Sequence, residues 1–183
     1  MSSLPTHDYQ HLLAILILVA RIGDIGTTFI LTPNMKLEAN ALMRKGKWPF
    51  ALMSLSLCLV PYISQPAAVM LLVTSLMLSV SNSLRLWLVR SVGEEEYHQF
   101  VVAAAGKANP RETLFLVFLP GAFMMLLAIT MFLFYPSESE WGYWIAGGFL
   151  AYAMILLVHM PAGFARYRRE ALQGESLVKG QDC

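Results

Sequence analysis

The sequence predicts an all-α, polytopic membrane helix bundle of about five transmembrane helices. Three observations predict it. Of the 183 residues 57% are hydrophobic and 14% charged, with a mean hydropathy of +0.57, whereas a soluble domain carries roughly 25% charged residues. Apolar runs of membrane-spanning length are separated by prolines and helix-capping residues. Apart from Arg21 and Arg85, Lys and Arg cluster at alternate loops and the C-terminal tail. The net charge of +1 gives no basis for a nucleic-acid partner. Cys58 and Cys183 make no metal or haem spacing.

The first span is expected over residues 9–31. Residues 1–11 contain no Lys or Arg, so the positive start of a cleaved leader is missing and the span is expected to be retained. The second, 48–64, is the shortest, and Trp48-Pro49 places a proline in its first turn. The third, 66–90, opens at Gln65-Pro66. A short amphipathic helix is expected next, on the cytoplasmic surface. Ser91 and Glu94 read as its capping box, and Gly106 as its stop. The fourth span, 110–135, begins with the box Asn109-Pro110-Arg111-Glu112 and is expected to kink at Pro120. The fifth, 141–164, follows a box of Ser137 and Glu140. Residues 1–165 thus form the bundle and 166–183 a polar cytoplasmic tail, expected to be disordered after Glu170.

Loop charge sets the orientation. The first loop carries Lys36, Arg44, Lys45 and Lys47, and the third carries Arg90, Lys107 and Arg111. The tail carries Arg166, Arg168, Arg169 and Lys179; the second and fourth loops carry no base. The N-terminus is therefore expected outside and the C-terminus in the cytoplasm.

Within this frame several polar residues are out of place. Arg21 and Asp24 are three apart on one helix face, and Thr27 and Thr28 follow one turn on. Ser75, Ser79 and Asn82 share a face of the third span, with Arg85 one turn further. His159 lies near the inner end of the last span, and Glu38 and Asn40 lie in the first inner loop. On the topology above, all converge on the cytoplasmic side, which implies a polar pocket between the helices. Bland readings stand beside each. Arg21 and Asp24 fit a structural ion pair. The threonines fit bonds to carbonyls one turn back. Ser75 and Ser79 fit close packing of helices, and His98 beside three glutamates fits a solvated face.

Arg21-Ile22-Gly23-Asp24-Ile25-Gly26-Thr27-Thr28, followed by Thr32-Pro33 and Leu37-Glu38-Ala39-Asn40, resembles a pattern in a group of small prokaryotic membrane proteins of unknown function. That pattern places D-x-x-T-T near the end of the first span and E-x-N-P at the start of the next segment. This chain has Ala41 where the pattern has proline. The resemblance covers about the first fifth of the chain. It implies that Asp24, Thr27, Thr28, Glu38 and Asn40 act as one unit, and it implies no reaction.

Three functions fit these residues. The leading one is an embedded enzyme acting on a lipid or isoprenoid phosphate. Asp24 and Glu38 would hold Mg2+ or another divalent cation. Arg21 and Arg85 would grip phosphate, with Thr27, Thr28, Asn40 and Asn82 lining the substrate site. Asp24 and His159 would be catalytic, with His98 an alternative acid or base. The second is a permease or channel for a small solute or ion, using Asp24 as its ion or proton site. The third is a non-catalytic subunit or assembly factor, with a homo-oligomer or a partner membrane subunit. Membrane lipid is the expected partner and a bacterial inner membrane the expected location.

Overall fold

The computed structural model describes residues 6–38, 41–134 and 140–179, and these are almost wholly helical. The elements are α1 (Thr6–Leu31), α2 (Ala41–Leu55), a 3₁₀ segment (Ser56–Tyr62), α3 (Gln65–Val92), α4 (Glu94–Lys107), α5 (Pro110–Phe134) and α6 (Glu140–Lys179). Four helices among the described residues are long and apolar enough to cross a membrane: Tyr9–Leu31, Gln65–Val92, Pro110–Phe134 and Glu140–Gly174.

The segment expected as a single helix over 48–64 is in two pieces. Lys47 breaks the chain with φ 43°, ψ −129°, and Pro49 stands in the first turn after the break. The chain then tightens into the 3₁₀ segment around the buried Pro61. This form advances about 2.0 Å per residue against 1.5 Å in an α-helix, so Trp48 to Tyr62 reach about 26 Å. Both ends are tied to α1. Trp48 stacks on Phe29 at 4.0 Å between ring centroids, and the Tyr62 hydroxyl lies 2.8 Å from His11 Nδ1. Those two points on α1 are about 27 Å apart, so the broken segment lies along most of that helix.

Small residues set the spacing of the other helices. A Cβ on Gly23 of α1 would meet Ser79 Oγ of α3 at 3.3 Å. Thr74 Oγ1 donates within α3 to Met70 O at 2.7 Å and across to Gly148 O of α6 at 3.2 Å. A Cβ on Gly121 of α5 would lie 2.7 Å from Leu157 of α6. Ser75 is 1% exposed in the same packed face of α3, so the serine stripe is packing surface. At Gly148 a Cβ would stand 2.6 Å from Val73 Cβ and 3.1 Å from the Met70 carbonyl. Gly148→Ala is therefore expected to destabilise the fold by about 1–3 kcal/mol, which thermal unfolding in detergent will measure.

α1, α3 and α6 run in the same direction. Tyr9 of α1 packs on Trp141 of α6 at one end, and Arg166 of α6 reaches the residues after α1 at the other. Near the first end a dry cluster of Leu13, Ile17, Ala68 and Val69 is covered by Trp144 and Ile145.

Three terminal details differ from the sequence reading. Ser91 is the penultimate residue of α3, bonding Leu88 O at 2.9 Å, and Gly93 at φ 98° caps α4 instead. Gly106 lies inside α4, close against Ala171 of α6, and the helix stops at Lys107. α6 runs on to Lys179 where a disordered tail was expected, because α4 packs along its extension and His98 pairs with Glu170 at 3.1 Å. The box before α5 is present: Asn109 Oδ1 accepts from Arg111 N at 3.2 Å, and its amide donates to Glu112 at 2.8 Å. α5 continues through Pro120. Ser137 lies outside the described residues.

Candidate functional site

One cavity of about 600 Å³ gathers most of the polar residues singled out above. Arg21, Asp24 and Thr28 reach it from α1, Asn82 and Arg85 from α3, His159 from α6, and Glu38 from the loop after α1. Its size is that of a small-molecule site. The rest of the wall is largely apolar, including Leu78, Val101, Val117, Ile155 and Phe164.

Helix register sets the depth of each group. Asn82 Nδ2 donates to Thr28 Oγ1 at 3.0 Å, so those residues share a level. Thr74 touches Gly148, and Arg85 and His159 stand equally far along their parallel helices, so they share a second level nearer the loops. Asp24 lies about 10 Å from that level toward the dry cluster. The cavity therefore has a polar deep end at Arg21 and Asp24 and a polar shallow end at Arg85 and His159.

At the deep end Arg21 Nη1 bonds Asp24 Oδ2 at 2.7 Å, with the two side chains 14% and 13% exposed. The carboxylate is held inside the bundle. Glu38 lies within electrostatic reach of it. At the shallow end Arg85 is exposed and makes no hydrogen bond or ion pair with any described residue. His159 Nδ1 lies 3.1 Å from Ile155 O. A carbonyl only accepts, so this contact places a proton on Nδ1 and leaves Nε2 as the ring nitrogen available for acid–base work.

Two expected members of the site stand elsewhere. Thr27 Oγ1 bonds Gly23 O at 2.8 Å and Asp24 O at 3.0 Å within its own helix and does not line the cavity. Asn40 lies outside the described residues. Among the described residues no group of three or more His, Cys, Asp or Glu side chains is placed to hold a metal ion, and Asp24 faces Arg21.

A feature the sequence reading missed forms one wall. Residues 32–38 carry Thr32, Leu37 and Glu38 to the cavity, and side chains from two distant helices hold them. The Glu94 carboxylate of α4 accepts from the Thr32 hydroxyl, from Asn34 N at 2.8 Å and from Lys36 N at 2.9 Å. From α6, Arg166 donates to Lys36 O and, at 2.9 Å, to Glu38 O, while the Tyr167 hydroxyl donates to Leu37 O at 3.4 Å. Met35, at φ 59° and 2% exposed, plugs its side chain beneath the loop. Burial, the largest influence on Glu94, pushes its carboxyl upward. The Thr32, Asn34 and Lys36 bonds together outweigh it and hold the group below the usual glutamate value. Lys36 also pairs with exposed Glu95.

Comparison with protein-family models, with curated proteins and with solved structures finds no match.

Proposed function

We propose that this is an inner-membrane protein of five spans, N-terminus outside, whose cytoplasm-facing cavity binds and transforms a lipid or isoprenoid phosphate. The observation that carries the reading is the pairing of the Arg85 guanidinium, which has no hydrogen bond or ion pair among the described residues, with largely apolar cavity walls. An amphiphile with an anionic head satisfies both: phosphate oxygens take the guanidinium, and a chain fills the apolar space. His159 at the same level offers Nε2 as the acid or base. The reach of the broken second segment supports the fifth span, and the alternating loop charges support the orientation. The first-span resemblance belongs to the same reading, with Asp24 and Thr28 on the cavity wall. The dry cluster of Leu13, Ile17, Ala68 and Val69 beyond the deep end favours a closed site over a through-path.

The test is binding of a long-chain alkyl phosphate to the protein in nanodiscs, followed by turnover. Arg85→Ala is expected to weaken binding roughly tenfold, since a hydrogen bond to a charged group is worth about 1.5–3 kcal/mol. His159→Gln is expected to leave binding intact and abolish turnover. Unchanged affinity in Arg85→Ala would sink the assignment.

A further inference from the structure

The cavity is walled at the back and flanks and not at the front. Leu78, Asn82, Arg85 and Val89 line it from one face of α3, while Val80, Leu84 and Trp87 on the opposite face are exposed. α3 is therefore the back wall. α1 and α6 pack on either side of it, Gly23 against Ser79 and Gly148 against Thr74, and form the flanks. α2 and α5 stand in front of these. α2 packs on α1 and the 3₁₀ segment, and α5 packs on α6. No comparable packing joins α2 to α5 among the described residues. Yet both line the cavity, α2 with Phe50 and Ser54, α5 with Thr113 and Val117. A cleft between them is the front.

The two ends are occupied. The dry cluster lies beyond the deep end. Residues 32–38 and α4 lie across the loop end, where they contribute Leu37, Tyr97 and Val101, and Glu94 and Arg166 fasten that loop. The cavity is nonetheless partly open, and the cleft is the side left for the opening. Its rim is apolar. Met53 of α2, beside Phe50 and Ser54, is exposed, and beyond Thr113 α5 carries no charge and is apolar on every face. Such a rim faces hydrocarbon.

An amphiphile with its phosphate on Arg85 has two courses for its chain. Running lengthwise, it ends about 10 Å on, at the level of Asp24, where an apolar group has nothing to offer a charged pair. Turning sideways, it passes Phe50 and Val117 and leaves through the cleft into acyl chains.

We infer that the cavity opens sideways into the cytoplasmic leaflet between α2 and α5, and that its ligand is a resident of that leaflet, an anionic amphiphile whose head meets Arg85 while its chain stays in the bilayer. The inference rests on the proposed orientation and on Arg85 as the phosphate contact. It adds the route and the source: a membrane lipid phosphate and not a soluble one.

The experiment uses a long-chain alkyl monophosphate with a diazirine midway along its chain, photolysed with the protein in nanodiscs, and maps the adducts by mass spectrometry. Adducts are expected on α2 and α5 around Phe50 and Val117. They are expected to fall roughly tenfold in Arg85→Ala, and to fall likewise with excess unlabelled alkyl phosphate, a control that needs no variant. A second compound carries a bulky pyrenyl group at the far end of the chain. Wild type is expected to bind it within about twofold of the plain alkyl phosphate, since that end lies outside the cavity.

Adducts confined to the deep end around Ile25, or a roughly tenfold loss of affinity with the pyrenyl group, would overturn the cleft and leave the phosphate reading standing. Cleft adducts indifferent to both Arg85→Ala and the competitor would be bulk-lipid contact, and would overturn it too. Inorganic phosphate displacing the probe as well as the alkyl phosphate does would move the source to solution, with the same result for the inference. Absence of cleft adducts in a protein that runs as a dimer would give the cleft to a second copy, and would likewise overturn it. No binding of either amphiphile would remove the phosphate reading and this inference together.

Discussion

Asp24→Leu is expected to be the most damaging single substitution in the first helix, lowering stability by about 3–5 kcal/mol. With both partners present, Arg21 and Asp24 bond at 2.7 Å and bury no net charge. With Asp24 gone, a guanidinium that is 14% exposed is left inside an apolar bundle, and an unpaired buried charge has no cheap outlet. The side chain cannot reach the interface easily, since it lies at the deep end of the cavity beneath the dry cluster. The double variant Arg21→Met/Asp24→Leu is expected to recover most of the loss, because replacing a whole buried pair by apolar groups is often neutral. Unfolding of the four proteins in the cycle reads the coupling directly. A double variant as unstable as Asp24→Leu would mean that the pair holds the fold by more than its own charges. If the recovered double variant binds ligand poorly, the pair serves the site and not the fold.

Much of this was legible in the chain because it is local. Helix length, capping residues and the i,i+3 spacing of Arg21 and Asp24 are properties of neighbouring residues. The apolar runs at 9–31, 110–135 and 141–164 correspond to α1, α5 and α6 for the same reason. Convergence of Asp24, Asn82, Arg85 and His159 is what counting along spans of the expected direction gives, and one cavity takes all four. The misses have a different origin. At 48–64 the composition is that of a span, but Pro61 and the break at Lys47 change the rise per residue, which hydropathy does not register. Ser91 and Glu94 have cap spacing, yet Glu94 is drawn to amides some sixty positions earlier in the chain. In the sequence Arg166 is only one of the tail's basic residues that set the orientation, and its carbonyl partners lie further away still. No period or spacing encodes those contacts; they appear only once the helices are placed. Thr27 shows the opposite case, in which the bland local bond to carbonyls one turn back is what forms.

Glu94→Ala is expected to free the loop at residues 32–38 while leaving the helices in place. Three donors of that loop converge on one carboxylate, and each bond to a charged acceptor outweighs a neutral one. Losing them is expected to lower the local opening free energy by about 2 kcal/mol, so the Asn34 and Lys36 amides should exchange with solvent roughly thirtyfold faster. Exchange in the dry cluster at Leu13 and Ile17 should not change, because those residues belong to a different layer. The same release follows from acid in the wild type. The folded protein holds Glu94 below the ordinary glutamate value of 4.5, so the stabilisation is present above 4.5 and is lost as pH falls through the lower folded value. Glu94→Gln, which has no charge to lose, should show already at pH 7 part of the rapid exchange that wild type reaches only in acid, and its rate corrected for intrinsic exchange should be flat across that window. The loop carries Leu37 and Glu38 into the cavity wall, so its release should also reach the ligand. A carboxylate that merely decorated the start of α4 would leave the amides of residues 34 and 36, some sixty positions away, exchanging at their wild-type rate.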